Sequence, residues 1–343
     1  MSKNHHEIKS VWIAKDYKVI KELKKKNMRV VRFGSLKSMI YLFRAGVVLT
    51  SSGVADLGPV RLYGGAFQAE LWHGMPITRV FHDKPEFKKN KTLSFLYNLK
   101  EMISEGKPDM IVSTSEQTKR CLSSAFRNNN VKITGQPRYK GMFKKDAKKQ
   151  VLGCVAPDMP KDTKIISYVP TFRNPFTPES FLFSRKDWKE KEMHKILEKN
   201  KAIIMMKMHF YGKDATSDAR SDRIIFKNDI EIQELLGATD ILVTDYSSCF
   251  IDFLLLDRPI IFTPFDLKNH LKKRGLYYDY ENVTPGPKIR SFSSFKKEVE
   301  TYLKNKEKDK EKRKKINKML NEGSGKEDSK RVYETIKTLV GGL

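Results

Sequence analysis

Cysteine is scarce in this chain. The three present in 343 residues, Cys121, Cys154 and Cys249, are far apart and lack any metal-ligand spacing. That excludes a disulfide scaffold and a structural zinc site, and it fits a reducing compartment. Long apolar runs are missing as well. No stretch is long enough to span a bilayer, and residues 1–15 are polar with no secretory apolar region, so the chain is expected to stay in the cytoplasm. Also absent are a Gly-x-x-x-x-Gly-Lys-Ser/Thr phosphate loop, a Gly-x-Gly-x-x-Gly turn after the first strand and a Gly-x-Ser-x-Gly elbow. Kinase, dehydrogenase and hydrolase readings thereby lose their main support. Negative charge is in short supply: 41 Asp and Glu stand against 67 Lys and Arg, a net charge of +26. Such an excess calls for an anionic partner or surface. The Lys-rich tract from Lys304 to Lys318 supplies much of it, with Glu and Asp interspersed at the spacing of a solvated helix face.

What is present builds ordinary cores. A hydrophobic fraction of 39% with 10% aromatics excludes a disordered chain, and the length exceeds one usual core, so two domains are expected. Strand-length apolar runs at Met28–Phe33, Gly46–Thr50, Ala69–Trp72, Met110–Ser113 and Lys132–Thr134 alternate with amphipathic stretches. After a basic, Pro-containing stretch from Tyr139 to Lys164, a second series follows at 164–169, 202–207, 224–226, 240–244 and 259–262. Runs apolar on both faces belong to a parallel sheet covered by helices on each side. The expectation is an α/β protein of two Rossmann-like domains, residues 1–148 and 149–343, with basic helices at the C-terminus.

The strongest local signal is an apolar strand ending in Thr244-Asp245-Tyr246-Ser247-Ser248 and opening a helix. Free N–H groups at a helix start, with Ser hydroxyls beside them, bind anions, and ligands of open α/β sheets lie beyond the carboxyl ends of strands. The same residues would also serve as a plain helix cap. Arg173, after the run Tyr168-Val169-Pro170, offers a planar fork for phosphate. His73, in Trp72-His73-Gly74-Met75-Pro76, and His209 each follow a strand, one in each half, where an imidazole moves protons near neutral pH. As single residues, each reads equally as a structural side chain.

Taken in order, Glu70-Leu71-Trp72-His73-Gly74-Met75-Pro76, Tyr168-Val169-Pro170-Thr171-Phe172-Arg173, Lys207-Met208-His209 and Thr244-Asp245-Tyr246-Ser247-Ser248 resemble the CDP-glycerol glycerophosphotransferase family of teichoic acid synthesis. The resemblance continues through Asp257-Arg258-Pro259, Asp266-Leu267, Arg274–Tyr280 and Pro285-Gly286-Pro287. Phe172 and Phe210 depart from the family's usual Trp and Pro. The resemblance implies a GT-B architecture with the active site in the cleft between the domains, an acceptor-side N-terminal domain and a CDP-donor-binding C-terminal domain. It implies transfer of glycerol phosphate, or a related polyol phosphate, from CDP-glycerol to a hydroxyl of a lipid-linked or polymeric acceptor, with release of CMP. His73 would be the base. His209 would contact the donor phosphates or aid the leaving group, Arg173 would offset diphosphate charge, and Ser247 and Ser248 would bind phosphate oxygens. Asp245 would orient the turn, with Gly74, Pro285 and Gly286 shaping supporting loops. No cofactor and no metal are expected: Asp240, Asp245 and Asp252 lack the spacing of a dedicated site. The positive charge then suits an anionic membrane surface at the inner face of the cell membrane. A GT-B glycosyltransferase using a sugar nucleotide is the alternative on fold alone. A nucleic-acid binder explains the charge but lacks any recognition motif.

Overall fold

The computed structural model describes residues 8–53, 56–57, 62–90, 92–93, 95–96, 107–171, 173, 180–207 and 221–341. It forms two compact units: residues 1–75, 80–137 and 327–343 in the first, and 76–79 with 138–326 in the second. The division thus falls at 137/138, not at the expected 148/149, and the last seventeen residues return to the first unit. Hydrophobic burial accounts for the return. Val332 and Ile336 of the C-terminal helix Asp328–Leu339 are buried against Ala69, Met110 and Val112. Polar contacts lock the same helix in place: Gln136 N–H donates to Asp328 Oδ2 at 2.8 Å and Arg331 Nε donates to the Thr134 carbonyl at 3.0 Å.

In the first unit, β1 (Trp12–Ala14) pairs with β2 (Val30–Arg32), and β3 (Val47–Thr50), β4 (Phe67–Glu70), β5 (Met110–Ser113) and β6 (Val131–Ile133) form a sheet in that order. Every pairing is parallel. β1 has no counterpart among the expected runs, because its three residues are too short to show periodicity. β4 ends two residues earlier than its apolar pattern, since Trp72 leaves the sheet in the left-handed conformation at φ 58°.

In the second unit, β7 (Lys164–Tyr168), β8 (Ala202–Met206), β9 (Ile224–Phe226), β10 (Ile241–Thr244) and β11 (Ile260–Phe262) form a parallel sheet in the order β11-β10-β7-β8-β9. These are the continuous apolar runs of the sequence, and residues such as Ile166, Ile204 and Val243 are fully buried in the core beneath the covering helices. The first strand of the unit, β7, lies between β8 and β10, so the strand order reverses there. Such a reversal opens a ligand crevice at the carboxyl ends of the two strands that flank it. The Lys-rich tract is a solvated face, as its spacing implies: Lys312 pairs with Asp309 at 3.1 Å and Lys314 with Glu311 at 3.0 Å, while Ile316 and Leu320 point into the core.

Pro285-Gly286-Pro287 runs beside β11. The Pro287 carbonyl accepts from Phe262 N–H at 2.9 Å, and Lys288 bridges Phe262 in parallel. A Cβ on Gly286 would stand 2.0 Å from the Ile260 carbonyl oxygen. Backbone cannot yield there as a flexible side chain would. Gly286→Ala is therefore expected to destabilise the fold by about 1–3 kcal/mol, read as a lowered urea midpoint; an unchanged midpoint would mean the segment is not held against β11.

Candidate active site

The reversal in strand order puts two sequence motifs side by side. Thr171 and Arg173 follow β7, and Asp245 to Ser248 follow its neighbour β10. Asp245 is fully buried. Its Oδ1 accepts from Thr171 N–H at 2.8 Å, from the Thr171 hydroxyl at 2.6 Å and from Tyr246 N–H at 2.5 Å. Its Oδ2 lies 2.7 Å from Arg173 Nη2, an ion pair without an aligned hydrogen bond. Arg173 is held from its other side by Asp266, through Nε at 2.9 Å and Nη2 at 2.8 Å, and its Nη1 donates to the Thr171 carbonyl at 2.7 Å. Burial opposes the charge on the guanidinium, but the two carboxylates outweigh it and hold Arg173 firmly protonated. The Asp266 carboxyl, which burial alone would raise, is drawn below its ordinary value chiefly by Arg173.

This frame presents the turn. The helix Cys249–Phe253 begins at Ser248, whose side chain makes no cap bond. Among the described residues, the backbone N–H groups of Ser247 and Ser248 donate to nothing, and the Ser248 hydroxyl has no partner; the Ser247 hydroxyl accepts from Cys249 N–H at 3.5 Å and also meets the Cys249 thiol. Both serines are partly exposed. The arrangement is a small nest of unspent donors at the carboxyl end of a central strand, suited to phosphate oxygens.

His270, which no motif of the sequence includes, and Tyr280, present there only as part of a motif, complete the frame. His270 stacks on Tyr246, centroids 4.1 Å apart at 22°, and its Nε2 lies 3.1 Å from the Thr78 hydroxyl. The Tyr246 hydroxyl donates to Asp266 at 3.1 Å, and the Tyr280 hydroxyl to the Asp245 carbonyl at 3.0 Å. Asp266 was visible as part of a motif, but no local pattern marks His270. Burial pushes the His270 imidazole down to about 4, against the pull of Asp245 and Asp266. An unfolded histidine takes a proton near pH 6.5, so protonation favours unfolding between these values. This contribution is complete above about pH 6.5 and is lost as the pH falls toward about 4. Urea unfolding at pH 7 and at pH 4.5 is expected to differ by about 1–3 kcal/mol more in the parent than in His270→Phe. Equal slopes in the two proteins would overturn this.

In the first unit, His73 is exposed at the turn after β4. Its Nδ1 lies 2.8 Å from the Ser51 carbonyl oxygen. A carbonyl only accepts, so Nδ1 carries the proton and the lone pair of neutral His73 is on Nε2. The ring leans on Trp72, centroids 4.1 Å apart, and Trp72 packs on Phe81 and Phe126. A bulky residue at positive φ is costly and occurs where the surroundings over-determine it. The left-handed turn is therefore carried by Trp72, with Gly74 buried behind it at ordinary φ.

His209 and Phe172 lie outside the described residues. The three aspartates weighed as metal ligands go separate ways. Asp240 takes Lys148 at 2.7 Å and Ile165 N–H, Asp245 is bound in the frame, and Asp252 takes Arg138 at 2.8 Å and the Tyr139 hydroxyl. Among the described residues no group of three or more His, Cys, Asp or Glu is gathered in ligating range.

Comparison with known proteins gives this geometry a context. A family model described as CDP-glycerol:poly(glycerophosphate) glycerophosphotransferase matches residues 1–338. The chain is 28% identical over 294 residues to a teichoic acid poly(glycerol phosphate) polymerase of Bacillus spizizenii, covering 80% of this chain and 73% of that one. It is 25% identical over 303 residues to the protein of the same description in Bacillus subtilis, covering 85% of this chain but 39% of that one. Among solved structures, the wall teichoic acid polymerase TagF superposes with a TM-score of 0.77 at 20% identity, over 99% of this chain and 84% of that one. The fold is thus of the GT-B type.

Proposed function

This chain belongs to the CDP-glycerol:poly(glycerophosphate) glycerophosphotransferase family, and from that premise we propose that it transfers glycerol phosphate, or a related polyol phosphate, from a CDP-polyol to a hydroxyl of a teichoic acid-type acceptor. The observation that carries this reading is the nest formed by the Ser247 and Ser248 N–H groups and the Ser248 hydroxyl, unpaired among the described residues, at the point where the strand order of the second unit reverses. The donor's diphosphate rests on these N–H and hydroxyl groups. Asp245, Arg173 and Asp266 act through the frame, holding the turn, while one Nη1 N–H of Arg173, unpaired among the described residues, serves a phosphate oxygen.

The acceptor hydroxyl gives its proton to His73 Nε2 and its oxygen attacks the donor's β-phosphorus. The bond from that phosphorus to the bridging oxygen breaks, CMP leaves with the bond's electrons, and a phosphodiester forms. His209 is assigned to the donor phosphates or the leaving group. No metal and no cofactor enter this reaction scheme.

The test is nucleotide release by the purified chain with a lipid-linked acceptor and a panel of donors, read as CMP from CDP-glycerol or CDP-ribitol and as UDP from UDP-sugars. Release from a CDP-polyol alone is expected; preferred turnover of a UDP-sugar would replace this reading with a glycosyltransferase.

The site of work is the inner face of the cell membrane. No helix among the described residues is long and apolar enough to cross a membrane. The helix Leu36–Phe43, however, leaves Leu36 75% and Phe43 68% exposed, near the basic helix Tyr17–Lys25 in sequence. Apolar anchors with lysines gaining about 1 kcal/mol each near anionic lipid suit such a surface. Co-sedimentation with phosphatidylglycerol vesicles is expected, weakened by salt and by about tenfold or more in Leu36→Asp/Phe43→Asp. Equal binding by the double variant would remove this helix from the account.

A further inference from the structure

Glu70 is a buried acid that the reaction does not consume. It is fully enclosed at the end of β4, three residues before His73. Its Oε2 accepts from the Thr50 hydroxyl at 2.6 Å and from Gly53 N–H at 2.9 Å, while its Oε1 accepts from Trp72 N–H at 2.9 Å. One side chain therefore ties together two loops: the one leaving β3, which carries the Ser51 carbonyl, and the one leaving β4, which carries His73. A second carboxylate braces the first loop from outside, as Asp56 Oδ2 accepts from Ser51 N–H at 2.7 Å and Ser52 N–H at 2.9 Å. Among the described residues no cation is bonded to Glu70, and burial raises its carboxyl above the ordinary range against the pull of these three donors. A polar group so costly to bury is kept where the bonds it makes are needed.

We propose that Glu70 and Asp56 are positioning residues for His73: by fixing the β3 loop they aim the Ser51 carbonyl at Nδ1, which holds the imidazole in the Nδ1–H tautomer and leaves Nε2 as the base. The loop carbonyl thus does the work that a carboxylate performs in a Ser-His-Asp arrangement. The strained Trp72 turn is the other half of the device, since Glu70 Oε1 holds its N–H. This rests on His73 being the base.

The test joins a kinetic and a spectroscopic readout on the full chain. In Asp56→Ala and Glu70→Ala, kcat for CMP release is expected to fall about 10–100-fold with KM for CDP-glycerol little changed, because the donor site is untouched. Glu70→Gln, keeping one acceptor oxygen, should fall between Glu70→Ala and the parent. Nitrogen-15 spectra of the His73 ring at a pH where it is neutral should show the Nδ1–H form in the parent and a shift toward Nε2–H in the alanine variants. Asp56 is partly exposed, so its variant folds even if Glu70→Ala does not. Unaltered kcat and tautomer in Asp56→Ala and Glu70→Gln would overturn the proposal while leaving the base assignment intact. An active His73→Ala would instead sink the base assignment, and the ring spectra would still decide whether the carboxylates set the tautomer.

Discussion

His73→Ala is expected to lower kcat for CMP release by about 10²–10⁴-fold, with KM for the donor little affected. The residue is exposed, its Nδ1 is occupied by the Ser51 carbonyl, and Nε2 is left as the acceptor nitrogen. Removing it takes away the proton acceptor without disturbing a core, so the variant should unfold at the parent's midpoint. That combination distinguishes a base from a structural histidine, which would cost stability first. His73→Gln fills the space without a basic nitrogen and should be as inactive as the alanine variant. Turnover close to the parent's in either variant would transfer the proton to another group.

The second large effect is structural, at the other motif. Arg173→Met is expected to destabilise the fold by about 3–5 kcal/mol, seen as a much lower denaturation midpoint. Its guanidinium is the cation that lies between Asp245, with 1% of its side chain exposed, and Asp266, with 20%. Without it, two carboxylates share a site largely shielded from water, where like charges repel and Asp245 is cut off from hydration. Removing the charges together, in Arg173→Met with Asp245→Asn and Asp266→Asn, should recover part of the loss, because the cost lies in the orphaned partners. Arg173→Lys should recover little, since an ammonium cannot span both carboxylates with a planar fork. Were Arg173 held in place only to meet a phosphate, the single variant would lose donor binding at an unchanged midpoint. A normal midpoint is thus the result that would overturn the frame.

These two residues show how differently a motif can be read from a string and from a fold. Strand-end placement and residue type were enough to single out both, and for His73 the structure adds the tautomer. For Arg173 it changes the emphasis: a side chain expected to offset diphosphate charge is already neutralised by two aspartates. Asp266, ninety-three residues away, could not be paired with it by any local rule. His270 was invisible for the same reason, as its partners Tyr246 and Thr78 come from distant parts of the chain.

The helix Asp328–Leu339 marks the same boundary for the fold. Its amphipathic pattern is legible, but its attachment to the first unit, beside β4 and β5, is not. An apolar stripe states that something must cover it and leaves open what does. By itself, then, the sequence determined the alternation of strands and helices, the parallel character of the sheets and the phosphate-suited turn, because these depend on the period and chemistry of neighbouring residues. Only the tertiary structure decided the strand order that puts Arg173 beside Asp245, the unit to which the last helix belongs, and the buried Glu70 behind His73, because each is a meeting of segments far apart in the chain whose free energy exists only once they touch.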